Sequence, residues 1–270
     1  MILGIDLGNS YARCVRYYNT PQWNPHFKPI TYLGTASKVY FANAQDENPI
    51  VGTPAILPGK IKPNLYFKAF KRGMDDNAVI EREGGFKITP VELSALVLKK
   101  LLATTEAEEG PNTWVPKGIV VSVPAYFNEK QNRNTIDAIK LAMDKQFNGR
   151  KGYNEDIFLR LIPEPVAIAM DLSYKYPGWF DKAKIFVFDL GSSHLEISIV
   201  EISNPNKESF SFNTIQTTSA HNISGDIFDD LLSAYVLEES GYKESELSMP
   251  GKALFNERCT ELKCALTFAE

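Results

Sequence analysis

Cysteine is scarce in this sequence: Cys14, Cys259 and Cys264 are the three in a chain of 270 residues. No CxxC occurs among them. The odd number of thiols fits packed free cysteines in a reducing cytosol better than a disulfide scaffold. No apolar run approaches the ~20 residues of a membrane-spanning helix. Neither sign of charge dominates, and a formal net charge of −4 gives no basis for expecting nucleic acid or an anionic membrane as partner. GxxxxGK(S/T) and GxGxxG loops are both missing, so neither the Walker nor the Rossmann phosphate cradle is available. HExxH and clustered Cys/His metal spacings are missing too, and His26, His194 and His221 stand isolated along the chain. The N-terminus runs straight into a strand carrying Asp6, without a charged n-region or cleavage site, so no secretory signal is read and a cytoplasmic location is expected.

The chain does have an ordinary globular composition, 44% hydrophobic and 23% charged, and length enough for one large or two medium domains. It also says nearly the same thing twice. Ile2-Leu3-Gly4-Ile5-Asp6-Leu7-Gly8-Asn9-Ser10 and Ile185-Phe186-Val187-Phe188-Asp189-Leu190-Gly191-Ser192-Ser193 are each a short apolar strand ending in Asp-Leu-Gly and two small polar residues. A second strand-like run follows each, Tyr11 to Tyr18 and Leu195 to Ile202. Each unit reads as a β-hairpin with a carboxylate and a glycine at its turn, and the repeat suggests a duplicated, two-lobed nucleotide-binding protein. Two such turns facing each other suit a polyphosphate with its Mg²⁺. Asp6 and Asp189 would supply oxygens to an ion that keeps most of its waters. Gly8 and Gly191 would let backbone N–H groups approach phosphate oxygens. Asn9, Ser10, Ser192 and Ser193 would add donors.

The remainder alternates in period. Residues 19 to 66 are rich in Pro and Asn, with short β-like pieces at Ile30 to Leu33 and Val39 to Phe41; residues 67 to 76 turn from basic to acidic. Thr89-Pro90 with Glu92 predicts a capped helix start, followed by Leu93, Leu96, Val97, Lys100 and Leu101 at helical spacing, the apolar members forming a buried stripe. Gly110-Pro111 breaks the chain. Gly118 to Val123 reads as a strand buried on both faces of a parallel sheet. Asn128 with Gln131 reads as a second cap, with Ile136, Ile139 and Met143 inward. Ile157 to Ile162 reads as a strand, Pro163-Glu164-Pro165 as a turn, and Val166 to Leu172 as a helix. After Ser224-Gly225 a helix is expected to about Glu239 with Phe228, Leu231, Leu232 and Tyr235 inward. Residues 250 to 270 read as a last helix that stops without cap or breaker. Strands alternating with helices predict α/β layering with a partly parallel sheet.

On these residues the chain resembles the nucleotide-binding domain of the seventy-kilodalton heat-shock chaperones (the DnaK type), a branch of the actin-like ATPase superfamily. The resemblance runs nearly end to end. It rests on the two Asp-Leu-Gly hairpins, on Val121-Ser122-Val123-Pro124-Ala125-Tyr126-Phe127-Asn128, on Ile162-Pro163-Glu164-Pro165-Val166-Ala167, and on Ser224-Gly225-Asp226-Ile227-Phe228-Asp229, in the family's order and spacing. It implies a duplicated, ribonuclease H-like α/β fold of the actin-like ATPase type, lobe I plus an incomplete lobe II. Lobe I would span 1–183 (subdomain IA about 1–36 and 111–183, IB about 37–110). Lobe II would start at 184, with IIA about 184–222 and IIB about 223–270, the closing segments of the family lying beyond. ATP or ADP with Mg²⁺ would bind between the lobes. Lys71 in Phe70-Lys71-Arg72 matches the catalytic lysine, with Lys68 as the alternative. Glu164 matches a carboxylate near the metal site, and Asp6 and Asp189 the metal carboxylates. Tyr11, Gly225 and the adenine-contacting Lys263 join the hairpin residues in holding nucleotide. Pro124 matches a proline that passes on the nucleotide state.

Where the family reads D-L-G-G-G-T-F-D, this chain has Asp189-Leu190-Gly191-Ser192-Ser193-His194-Leu195-Glu196, so two glycines and a threonine near the γ-phosphate are replaced. Asn9 likewise stands where the first hairpin carries a threonine. Nucleotide binding is therefore expected to be retained and hydrolysis weakened. The implied partners are a J-domain co-chaperone, a nucleotide exchange factor, and peptide clients bound through a further domain. The paired hairpins alone also fit a sugar or acetate kinase of the same superfamily, or a non-hydrolysing actin-like scaffold.

Overall fold

The computed structural model describes residues 1–18, 26–29, 34–109, 114–150, 152–153, 157–176, 178–180, 182–204 and 210–266. The chain opens with β1 (Ile2–Leu7), β2 (Tyr11–Tyr18), β3 (His26–Pro29), β4 (Thr35–Ala36), β5 (Lys38–Tyr40) and β6 (Ile50–Val51). A short helix α1 (Ile56–Ile61) leads to β7 (Tyr66–Lys68), a 3₁₀ turn at Phe70–Met74, β8 (Ile80–Arg82) and β9 (Phe86–Ile88). Then follow α2 (Pro90–Glu109), β10 (Gly118–Val123), α3 (Glu129–Phe147), β11 (Phe158–Pro163) and α4 (Glu164–Lys175). The last elements are β12 (Lys182–Leu190), β13 (Leu195–Ser203), β14 (Ser211–Ala220), α5 (Gly225–Ser240) and α6 (Met249–Leu266).

The largest sheet has the order β11-β10-β1-β2-β3, with β4 also on β2. β10 and β11 run parallel to β1, and the β1–β2 hairpin is antiparallel. Alternation decides which face is buried. Leu3, Ile5 and Leu7 of β1 and Ala12 and Cys14 of β2 point into one core with Leu93, Val97 and Leu101 of α2 and Ala138, Ile139 and Met143 of α3. Each fully buried leucine there contributes about 2 kcal/mol of transfer free energy. Both helix starts have the expected caps. Thr89 Oγ1 accepts the Glu92 N–H while Glu92 accepts the Thr89 N–H, and Asn128 and Gln131 form the same reciprocal box. The expected strand at Ile30 to Leu33 and the break at Gly110-Pro111 lie outside the described residues. Val39 and Tyr40 fall in β5, and Lys100 is exposed on α2. All three cysteines are free, Cys14 and Cys259 buried and Cys264 exposed.

A second antiparallel sheet, β12-β13-β14, forms its own small core of Val187, Val200 and Ile202 against Ala169 of α4. α4 thus starts at the end of β11 and lies on the second sheet. Its start differs from the sequence reading: Pro163-Glu164-Pro165 is no separate turn, because Glu164 is already the first helical residue and Pro165 sits in the first turn, where its missing N–H costs nothing. A second correction concerns α5. Phe228, Leu231 and Tyr235 were expected inward but are exposed, Leu231 at 63%. α5 packs along α6, and among the described residues nothing covers its other face. The outer face of β12 is equally bare, with Phe186 65% exposed.

Candidate functional site

The two Asp-Leu-Gly turns are the same structure. Asp6 pairs with Arg13 and Leu7 with Ala12 in the first hairpin; Asp189 pairs with Glu196 and Leu190 with Leu195 in the second. In each, the glycine N–H closes the turn, Gly8 to the Tyr11 carbonyl and Gly191 to the His194 carbonyl, both at 3.0 Å. The two glycine N–H groups themselves are spent inside the turns. What the missing side chain provides is room: a Cβ on Gly8 would lie 2.6 Å from the Tyr11 carbonyl oxygen. The donors left to face a ligand belong to the residues after each glycine.

The turns open on one cavity of about 490 Å³, whose lining includes Asp6, Gly8, Asn9, Ser10, Tyr11, Lys71, Glu164, Asp189, Gly191, Ser192, Ser193 and His194. The turns touch each other directly, the Asn9 Nδ2 donating to Ser193 Oγ over 2.7 Å. Lys71 comes from the 3₁₀ turn, where Ala69 in the left-handed region (φ 53°) redirects the chain after β7. The Lys71 side chain is buried, and its ammonium lies 3.1 Å from Glu164 Oε1. Lys68, the alternative from sequence, is exposed on β7 and does not line the cavity.

Charge in the cavity is unbalanced toward the negative. Burial raises the Glu164 carboxyl above its ordinary value, with Asp6 and Asp189 adding to the rise and Lys71 opposing it. Burial and then Asp6 raise Asp189, again with Lys71 opposing. Arg13 lies 3.8 Å from Asp6 but is exposed. His194 is pushed down to about 4 by burial and by the positive charges of Lys71, His221 and Arg72, so it is neutral at pH 7. Its Nδ1 lies 3.0 Å from Ser193 Oγ.

Two expected site residues stand outside the cavity. Gly225 donates its N–H to the Gly191 carbonyl at 3.0 Å, and Asp226 donates to Ser192 O at 2.8 Å, so the start of α5 is stitched to the second turn. Lys263 donates to the Gly225 carbonyl at 3.2 Å and pairs with Asp229 at 2.7 Å. Among the described residues these two support the turn and do not line the cavity. Sequence reasoning missed Arg13 and Ser122, which line it. Their only signal is register: Arg13 and Ser122 both flank Asp6, on β2 and β10. It also missed the role of Glu196, whose carboxylate accepts the Ala125 N–H at 3.1 Å, next to Pro124, and so links β13 to the end of β10. Two of the three histidines meet in space. His194 and His221 lie 5.9 Å apart, each edge-on to Tyr126.

A protein-family model described as Hsp70 protein matches residues 60–269 of this chain. The chaperone protein DnaK of Endomicrobium trichonymphae is 32% identical over 239 residues, covering 88% of this chain and 35% of that protein. The chaperone protein DnaK of Thermoplasma volcanium is 31% identical over 248 residues, covering 90% of this chain and 36% of that protein. The chain therefore spans about a third of the length of the curated relatives it matches. With most of its length inside the family model, a mixed α/β architecture of the actin-like ATPase type and paired hairpin turns on one cavity, this chain belongs to the Hsp70 family.

Proposed function

We propose that this chain is the nucleotide-binding ATPase domain of an Hsp70-type chaperone, binding ATP or ADP with Mg²⁺ between two lobes, 1–183 and 184–270, and hydrolysing ATP slowly. The observation that carries this reading is the pair of matched Asp-Leu-Gly turns opening on one cavity and joined there by Asn9 and Ser193. The two sheets have separate cores, and α4, numbered with the first lobe, packs on the second sheet and joins the two.

The donor set fits a hard divalent cation. Asp6, Asp189 and Glu164 outnumber the one buried ammonium, two of the three carboxyls are raised by burial and then by their neighbouring carboxylates, and the buried Asn9 Oδ1 has no hydrogen-bond partner among the described residues. Asp6 and Asp189 would hold Mg²⁺, with Asn9 facing one of its waters. The ion would supply charge neutralisation at phosphate oxygens. Lys71, held by Glu164, places a positive charge where the γ-phosphate would sit and orients the attacking water. Ser10, Ser192 and the backbone N–H groups after Gly8 and Gly191 serve the remaining oxygens. A neutral His194 offers no positive charge, and serines at 192 and 193 restrict the second turn, which favours binding over turnover.

In this reading nucleotide state shifts the population of open and closed lobes and so controls a peptide-binding module, with J-domain and exchange-factor partners in the cytoplasm. Calorimetric titration with Mg-ADP tests it. The wild type is expected to bind, and Asp6→Asn with Asp189→Asn to weaken binding by about tenfold or more. A wild type that takes up no Mg-ADP would overturn the reading.

A further inference from the structure

Leu195 and Ala220 are the last cross-strand pair of β13 and β14, and one step further along the same register stand His194 and His221. Residues directly opposed on neighbouring antiparallel strands hold their Cβ atoms about 5 Å apart. The two imidazole centres lie 5.9 Å from each other, with 50° between the ring planes. Two imidazoles that share one tetrahedral ion, at about 2.1 Å per nitrogen, have ring centres about 5–6 Å apart. Both rings are braced edge-on against Tyr126, at 5.1 and 5.8 Å. His194 is further held at Nδ1, 3.0 Å from Ser193 Oγ, and Ser193 is itself fixed by Asn9. Such a hydrogen bond at one ring nitrogen orients an imidazole and leaves the other, here Nε2, to face a ligand. Both histidines line a second cavity, of about 430 Å³, which has room for an ion with its waters. The cations in that lining are already matched, Lys71 with Glu164 at 3.1 Å and Arg72 with Asp226 at 2.7 Å. Asp75 lines the cavity as well and adds a negative charge.

We propose that His194 and His221 form a binding site for a divalent transition-metal ion of the zinc type, at the end of the β13–β14 pair. Ligand chemistry selects the ion. Imidazole nitrogen suits zinc, nickel and copper, whereas the carboxylates of the first cavity suit the harder Mg²⁺. Among the described residues no third His, Cys, Asp or Glu closes the set, so the ion keeps water at its remaining positions. His194 is already neutral at pH 7, as a ligating imidazole must be. A bound ion ties the turn before β13 to the turn after β14 and fixes the His194 ring at the wall of the first cavity. The site stands on the two histidines alone and does not depend on the nucleotide reading.

The test titrates ZnCl₂ into the full chain by calorimetry, without nucleotide, in a Cys264→Ser background that removes the exposed thiol. The three imidazoles are followed in parallel by NMR. One equivalent is expected to bind, with His194 and His221 shifting together to saturation while His26 stays still. A large excess of MgCl₂ is expected to leave that binding in place. His194→Ala and His221→Ala should each weaken it by about tenfold or more. His221 is exposed, so the metal-free melting temperature of His221→Ala should match that of its parent and show that the fold is intact. No uptake of Zn²⁺, an affinity that neither substitution lowers, resonances of His194 and His221 that do not move together, or displacement by Mg²⁺ would each overturn the site.

Discussion

Asn9 and Ser193, far apart in sequence, are joined by a hydrogen bond of 2.7 Å between the turn that follows β1 and the turn that follows β12. Ser193 is buried, and removing its hydroxyl would leave the Asn9 amide without a partner at either end. A hydrogen bond of this kind contributes about 1 kcal/mol net. Ser193→Ala is therefore expected to lower the melting temperature by about 2–4 °C in the absence of nucleotide. A double-mutant cycle with Asn9→Ala should return a coupling of about 1 kcal/mol. Additive effects of the two substitutions would mean that the turns do not support each other.

Lys71 faces Glu164 at 3.1 Å in a cavity that also holds Asp6 and Asp189. Lys71→Met keeps the stem that packs near Phe127 and removes the charge. Loss of one preorganised donor at a reacting phosphate costs about 10²–10³ in turnover. Single-turnover hydrolysis should fall by that factor while calorimetric Mg-ADP affinity changes by only a few-fold. Parallel loss of both would assign Lys71 a purely structural role.

The pH dependence of stability isolates Glu196. The residue is 2% exposed, and burial lifts its carboxyl from 4.5 to about 7, Glu164 adding to the rise while the Ala125 N–H opposes it. Between those values the folded state holds a proton that the unfolded state has lost. Stability from this group is therefore present at low pH and falls as pH rises through the window. His194 acts in the opposite sense, since its lowered pKa costs stability as pH falls from 6.5 toward about 4. Glu196→Gln leaves the histidine effect in place and can still accept from Ala125. Its urea midpoint relative to wild type should rise between about pH 5 and about pH 8. An offset that is the same at both ends would remove Glu196 as the titrating group.

How much of this was legible in the sequence depends on range. The hairpins and the boxes at Thr89 and Asn128 are local, so residue type and spacing suffice, and all of them are found where they read. That Lys71 lines the cavity and Lys68 does not was not legible, because it turns on Ala69 adopting a left-handed backbone that alanine rarely takes. Arg13 and Ser122 reach the cavity only through strand register. The pairing of His194 with His221 on Tyr126 joins three elements and has no sequence signature. Helical spacing correctly placed α5 but not its buried side: the period says which residues share a face, and only a packing partner says which face is covered.

The two turn glycines should differ in tolerance. A Cβ on Gly8 would come within 2.6 Å of a backbone oxygen, so the hairpin must shift; at Gly191 the nearest atom, the His194 carbonyl oxygen, is 3.3 Å away. Gly8→Ala should destabilise by about 1–3 kcal/mol and Gly191→Ala by clearly less, both read by urea unfolding. Equal costs would mean that the turns are not held by their own closing hydrogen bonds.

In the proposed reading, His194 is the residue expected to limit how fast the site works. It lines the nucleotide cavity in the turn after β12, is neutral, and is engaged by Ser193 and Tyr126, so it occupies the space without supplying either a positive charge or a small hydroxyl. Threonine there would shed the ring and place a hydroxyl near the transferring phosphoryl group. His194→Thr combined with Ser193→Gly also frees the turn backbone, though it gives up the Asn9 hydrogen bond. The expected outcome is an increase in single-turnover hydrolysis of about tenfold for His194→Thr, with Mg-ADP affinity little changed. The double variant should be faster again and less heat-stable. A wild-type rate that His194→Thr leaves untouched would mean that chemistry is limited elsewhere, and the next group to examine would be the Lys71–Glu164 pair.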